Sequence, residues 1–383
     1  MHSLLLAIAV ARAALHWVGT WESAPVYAEP AATFTDVTLR EVIHTSVGGS
    51  RVRVRFSNTF GTRPLEIARA SIALSSRGAG VAAAPHTLTF GGRRGIVVPA
   101  GAQVFSDPLD FRVPQNRDLS ISLYLPGPTG AATAHLLALQ TNYAASGDRT
   151  MDTAGAAFTD KNTQWFFLSG VDVATTQADA SVVALGDSIT DGARSRIDEN
   201  GRWPDVFAAR AHHVGVLNAG ISGNRILLDG GQYGSNALAR LDRDVLAQTG
   251  VRAVIILLGI NDVQQQPQQR DSTKIEAGLL QIVTQAHQHG LKVMVGTLTP
   301  FEGWHTYSSQ AEATRQAVNT FIRASRMFDG IVDFDKALRD PADPHRFLPA
   351  YDGGDHLHPS PEGQRVMGAL AYADALRYGI VAI

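Results

Sequence analysis

A chain of 383 residues with 45% hydrophobic content is long enough to bury more than one core; at about 150 residues per domain it corresponds to about 2.6 domains, two being the simplest count. A formal net charge of −2 with 18% charged residues leaves no basic stripe for nucleic acid and no acidic tail. The absence of cysteine excludes thiol catalysis, disulfides and cysteine-ligated metal.

The opening run from Leu4 to Val10, followed by Ala11-Arg12-Ala13, has the form of a secretory apolar region with an A-x-A cleavage site. Residues 1–15 are therefore expected to be a signal peptide and the protein to be secreted or periplasmic. No lysine or arginine precedes the run, and the competing reading is a first helix or strand of a cytoplasmic domain. No other apolar run approaches the roughly 18 residues of a membrane span.

From about Trp17 to Val173 the pattern has period two. Val52, Val54 and Phe56 alternate with Arg51, Arg53 and Arg55, and Leu119, Ile121, Leu123 and Leu125 alternate with Ser120, Ser122 and Tyr124. These are the marks of half-buried antiparallel strands, and turn signals such as Gly48-Gly49, Gly91-Gly92 and Pro126-Gly127-Pro128 recur between them. Residues 16–177 are accordingly expected to form an all-β sandwich of jelly-roll type. The arginine row is expected to be a solvated sheet face, a basic binding face being the alternative. The boundary falls in the small polar stretch between Thr175 and Ala180, leaving residues 178–383 as a second unit.

That second unit alternates strands with helical periods. Val182 to Leu185, bounded by Gly186, reads as a buried parallel strand, and Ser188 lies just past its carboxyl end, where such sheets bind ligands. A serine there is also a common turn residue or helix cap. Val216 to Asn224 reads as the next strand and its loop, in which Gly223 can turn a bare N–H toward the same edge or simply make the turn. Val251 to Leu258 is another buried strand ending in Gly259-Ile260-Asn261-Asp262; the Asn261 amide suits an oxyanion donor, or an Asx-turn. Thr273-Lys274-Ile275-Glu276 has the capping-box form and opens a helix that Gly290 stops. Strands at Lys292 to Leu298 and Ile331 to Phe334 complete five parallel strands, so the expected class is a three-layer α/β/α sandwich. Substrate choice should lie in the loops at Arg225 to Ser235, Gln264 to Arg270 and Phe301 to Tyr307. Asp187, Arg225, Trp304 and Tyr307 are the candidate lining residues. The two aromatic rings can stack on a sugar or aryl group, or pack the pocket lid.

Near the end, Asp355-His356-Leu357-His358 sits between Asp352-Gly353-Gly354 and Pro359-Ser360-Pro361, hence on one loop. A serine hydroxyl is a poor nucleophile until a base takes its proton and a carboxylate orients that base. His358 and Asp355 are of the right kinds, although an isolated D-x-x-H is more often a capped turn with an exposed histidine. Ser360 and Pro361 take the N-cap and N1 places of a last helix that Gly379 ends. His356 alternates with His358 and points away. His212-His213, His287 and His289 close helices with no third ligand nearby, so no metal is expected. There is no H-E-x-x-H, no phosphate loop and no G-x-S-x-G.

Taken together, Gly186-Asp187-Ser188-Ile189-Thr190, Gly223, Gly259-Ile260-Asn261-Asp262 and Asp355-His356-Leu357-His358 resemble the four blocks of the SGNH hydrolases, the GDSL esterase/lipase superfamily, with Ile189 where the family's name has leucine. Trp17-Val18-Gly19-Thr20-Trp21, Gly296 to Pro300 and Leu338 to Pro341 are similar to secreted bacterial members with an N-terminal β-domain. The resemblance implies Ser188 as nucleophile, His358 as base and Asp355 as its orienting acid. It also implies the Ser188 and Gly223 N–H groups and the Asn261 side chain as an oxyanion hole. The expected activity is metal-independent and cofactor-free hydrolysis of a small-molecule or polysaccharide ester, with short acyl groups such as acetyl on carbohydrate favoured. Alternatives are a longer-chain lipase, an acyltransferase, or a non-catalytic carbohydrate-binding protein on an esterase scaffold. Oligomeric state is left open.

Overall fold

The computed structural model describes residues 15–28 and 31–382, so nearly all of the expected signal peptide lies outside the described residues. The N-terminal half folds into antiparallel sheets. One has five strands, His16–Glu22, Leu168–Thr175, Gly49–Ser57, Leu109–Val113 and Gln103–Phe105. A second has six, Asp160–Asn162, Asn142–Ser146, Val37–His44, Asp118–Leu125, Arg69–Leu74 and His86–Leu88, and two smaller sheets accompany them. The alternation that marked these strands sends Val52, Val54, Phe56, Leu119, Ile121, Leu123 and Leu125 into one shared core.

The opposite faces depart from expectation. Ser120 and Ser122 are buried: Ser120 Oγ pairs with Ser75 Oγ at 2.8 Å, and Arg40 covers Ser122, donating from Nε to Ser122 Oγ at 2.9 Å and from its terminal nitrogens to the carbonyls of Ala79 and Asp152 at 2.7 Å. Of the arginine row, Arg51 stays partly exposed beside Asp110, but Arg53 and Arg55 are neither solvated nor a free basic face. Arg53 pairs with Asp172 at 2.8 Å and reaches Thr249, and the buried Arg55 donates to Gln248 at 2.6 Å. Thr249 and Gln248 belong to the C-terminal half, so this sheet face is an internal seam. Period-two patterning reports which side chains avoid the core, not what covers them.

After Thr175 the chain passes through residues 176–180 into a parallel sheet. Its strands are Ser181–Gly186, Gly215–Gly220, Val251–Leu257, Lys292–Gly296 and Gly330–Val332, arranged with the first between the second and third, then the fourth and fifth outward. The last two are shorter than their apolar runs, the fifth because Asp333 turns to cap the next helix by accepting the Lys336 N–H. The helices are α1 (Ser188–Asp191), α2 (Trp203–Ala208), α3 (Ala237–Leu241), α4 (Ile260–Gln264), α5 (Ser272–Gln288), α6 (Ser309–Ala324), α7 (Phe334–Leu338) and α8 (Pro361–Arg377). Helices α2, α7 and α8 pack together, as do α3, α5 and α6, and both faces of the strands are buried. The result is the α/β/α sandwich. The cap of α5 is Asp271, which accepts the Thr273 N–H, rather than Thr273 itself. A chain that winds outward from its first strand in both directions leaves a crevice between the carboxyl ends of that strand and its neighbours.

Candidate active site

Ser188 stands in that crevice as the first residue of α1. Asp187 caps the helix by accepting the Ile189 N–H at 3.0 Å. The turn from strand to helix is tight: a Cβ on Gly186 would come within 2.0 Å of Thr190 Oγ1. Ser188 Oγ lies 2.8 Å from His358 Nε2, across 170 residues of sequence.

His358 is held by a pinned loop. Asp352 and Pro359 form an antiparallel bridge, and Gly353 donates to the His358 carbonyl at 2.8 Å. Leu357 plugs the core, and Ser360 caps α8 by accepting the Gly363 N–H. His358 Nδ1 is 2.9 Å from Asp355 Oδ2. Because Asp355 offers only acceptors there, Nδ1 carries the proton and Nε2 is free to accept from Ser188. Asp355 Oδ1 takes the N–H groups of Leu357 and His358, and Oδ2 also takes Arg194 Nε at 2.8 Å. Burial alone would raise the Asp355 carboxyl, but the His358 and Arg194 hydrogen bonds outweigh it and hold the group well below the usual carboxylate range. His356 turns away, its ring on Asp352 and its backbone at φ +66°.

Gly223 and Asn261 meet through their neighbours. Gly223 has φ +78°, and a Cβ there would come within 2.5 Å of the Tyr233 ring, so both conformation and space call for glycine. Asn261 Nδ2 donates to the Asn224 carbonyl at 3.1 Å, and Asn261 Oδ1 accepts from Gln264 at 2.8 Å and from Gln265 at 3.0 Å. Gln265 Nε2 also donates to the Gly223 carbonyl at 3.0 Å. Two glutamines thus fix which end of the Asn261 amide carries the donors. Beneath them the buried Arg240 donates to the carbonyls of Gly186 and Ala219 at 2.9 and 2.8 Å and to Asn224 Oδ1 at 3.0 Å, charge-paired with Asp244. One guanidinium therefore ties the ends of the first two strands to the Gly223 loop. Asp262 accepts the N–H groups of Ile226 and Leu227, closing the loop onto α4.

The candidate lining residues divide. Trp304 stands edge-on to His358, ring centroids 6.1 Å apart, with Nε1 donating to Gln264 at 2.9 Å. Tyr307 packs on Phe301 and donates to Glu302 at 3.1 Å; burial, with the Glu302 carboxylate beside it, pushes its hydroxyl up to about 12. Arg225 and Asp187 do not line the crevice. Arg225 is buried, bonding the carbonyls of Gln266 and Pro267, and Asp187 is wholly enclosed.

Other members escaped the sequence. Arg194 has no local signal. Gln264 and Gln265 do, standing three and four residues after Asn261, the spacing of side-chain neighbours on a helix. Asp191, one turn after Ser188, takes the N–H and O–H of Ser222 on Oδ2 at 2.9 and 2.7 Å, and His135 on Oδ1 at 2.9 Å. His135 belongs to the β-sandwich, and its Nδ1 faces the Ala24 carbonyl at 2.9 Å. With acceptors at both nitrogens, Asp191 overcomes the effect of burial and raises the His135 pKa. Among the described residues, no group of three or more His, Asp or Glu side chains converges as a metal site.

A parallel sheet with Ser188 at its switch point, facing an acid–base pair, defines the SGNH class of acylhydrolase fold. Residues 184–366 match the GDSL-like Lipase/Acylhydrolase family, and this part of the chain belongs to it. No curated protein sequence matches the chain. Among solved structures it is similar to a lipolytic protein of the G-D-S-L family from Desulfitobacterium hafniense DCB-2 (22% identity, 51% of this chain and 98% of that one, TM-score 0.41). It is also similar to the aryl esterase of M. smegmatis (20%, 52% and 98%, 0.41) and to an acetyl xylan esterase variant from Geobacillus stearothermophilus (23%, 54% and 97%, 0.40).

Proposed function

We propose that the protein is a serine esterase that forms an acyl-enzyme at Ser188. The observation that carries this reading is the relay from Ser188 Oγ to His358 Nε2 at 2.8 Å and from His358 Nδ1 to Asp355 at 2.9 Å. His358 takes the Ser188 proton as Oγ bonds to the ester carbonyl carbon. The oxygen of the tetrahedral adduct then carries the negative charge, and the Ser188 N–H, the Gly223 N–H and Asn261 Nδ2 are its proposed donors. His358 returns the proton to the departing alkoxide, which leaves as alcohol. It next takes a proton from water, whose oxygen attacks the acyl carbon; Ser188 regains its proton as the carboxylic acid departs. The acyl groups are proposed to be short, acetyl on carbohydrate among them. Trp304 beside His358 offers an aromatic face to a sugar on the alcohol side.

Hydrolysis of p-nitrophenyl acetate by wild type and by Ser188→Ala tests the reading. The variant should lose about four to six orders of magnitude in kcat. Equal rates would overturn the mechanism, and transfer to an added alcohol in place of hydrolysis would overturn water as the acceptor.

A further inference from the structure

A cavity of about 120 Å³ opens at the seam of the two units, beside the Ser222–Gly223 turn. Val26, Leu136 and Leu137 of the β-sandwich form one wall, and Ile221 and Tyr233 of the hydrolase unit the other. The polar groups at its inner end satisfy one another, with His135 on Asp191 and Asp191 on Ser222, so the surface left for a ligand is mainly hydrocarbon. Tyr233 lies directly against Gly223, and Asp191 ends the helix that Ser188 begins. The cavity therefore reaches the far end of the proposed nucleophile's helix at Asp191, and Ser222 and Tyr233, which flank the proposed oxyanion donor Gly223. At this size it lies below the about 300 to 1,000 Å³ of drug-sized ligand pockets and holds only a short chain.

We infer that this interdomain cavity is the acyl subsite and that the β-sandwich sets the length of acyl chain the enzyme accepts. The inference rests on the serine-esterase reading and adds which side of the ester the sandwich sees. To return its proton, His358 must reach the leaving oxygen, which puts the alcohol on the side of the 352–360 loop and Trp304. No residue of that loop or of 301–307 lines the cavity. The remaining substituent on the carbonyl carbon, the acyl hydrocarbon, is then directed past Gly223 into the seam. Apolar walls suit it: burying hydrocarbon is favourable, so each added carbon is recognised until the walls stop it.

The experiment compares p-nitrophenyl acetate, butanoate and hexanoate in one arm, and acetate esters of alcohols of increasing size in the other. Wild type, Leu137→Trp and Leu136→Ala are assayed in both. Leu137→Trp should lower the hexanoate-to-acetate ratio of kcat/KM at least tenfold, and Leu136→Ala should raise it. Opposite shifts of a ratio are not produced by general damage to the fold. A ratio unmoved in both variants, or one that moves the same way in both, overturns the inference. A shift confined to the alcohol series overturns the acyl assignment. Wild type inactive on every ester fails the serine-esterase reading itself, a different outcome from an active enzyme whose chain-length profile does not respond.

Discussion

Replacing Asp187 by asparagine should remove a pH-dependent weakness from the fold. Asp187 lies beneath the proposed nucleophile with no exposed surface; one oxygen caps α1 and the other, Oδ2, has no hydrogen-bond partner. Burial, aided by the neighbouring Asp262 charge, pushes its carboxyl from 3.8 to about 7, against the opposing pull of the Ile189 N–H, His358 and Arg240. The folded protein therefore keeps this proton to near pH 7, while the unfolded chain releases it near pH 4. Stability from this group is fully present below about pH 4 and is lost as pH rises to about 7. A rise of about three units at about 1.36 kcal/mol each is about 4 kcal/mol, of which about 3 falls between pH 4.5 and 7.5. Asparagine keeps the oxygen that caps α1 and does not titrate. Urea unfolding of both proteins across this range measures the difference, which should move in favour of Asp187→Asn by about 3 kcal/mol as pH rises. Parallel stability–pH curves would refute the reasoning, since they would mean that Asp187 ionises in the fold as it does in water.

Two further perturbations address the frame around the proposed oxyanion site. Asn261→Ala should lower kcat by about 10² to 10³. Gln265→Leu should lower it less, and in the double variant the losses should fail to add by about 0.5 to 3 kcal/mol, as the glutamine acts through the Asn261 amide; a double-mutant cycle on kcat checks this, and full additivity would dissociate the two. Arg240→Met leaves the buried Asp244 with Arg243 alone and takes one donor each from the carbonyls of Gly186 and Ala219. It should cost about 3 kcal/mol or more by denaturant unfolding.

The first and third strands were legible because each is a short apolar run soon followed by glycine, so local pattern and buried parallel strand coincide at Val182 to Leu185 and at Val251 to Leu257. Ser188, Asp355 and His358 were legible as a group for a related reason. Strand ends converge at the switch point, and a three-residue spacing lets Asp355 cap the turn that carries His358. What resisted reading was everything decided by contact between the halves. Arg55 meets Gln248 across 193 residues and His135 meets Asp191 across 56, and no local period records either. Arg225 and Asp187 misled for the opposite reason: nearness in sequence to a site residue says little about where a side chain points. Arg225 leaves the crevice to hold the carbonyls of Gln266 and Pro267.

The seam is polar as well as buried, and that bears on how the β-sandwich serves the site. Ser46 Oγ accepts the Val216 N–H at 2.9 Å, Gly19 donates to the Thr249 carbonyl at 3.0 Å, and Ser23 bridges Asn218 in parallel register. Each of these bonds satisfies a backbone group of the hydrolase unit that separation would return to water or leave unpaired. His135 goes further: through Asp191 it holds both the N–H and the O–H of Ser222, the residue before Gly223. The Gly223 turn is thus gripped from the sheet side by Arg240 and Asn224 and from the sandwich side by His135 and Asp191. Held between two partners, the proposed Gly223 donor has little freedom to follow a carbonyl oxygen as it becomes tetrahedral, and such fixed placement is what oxyanion stabilisation requires. In this arrangement the β-sandwich is part of the frame that positions the site.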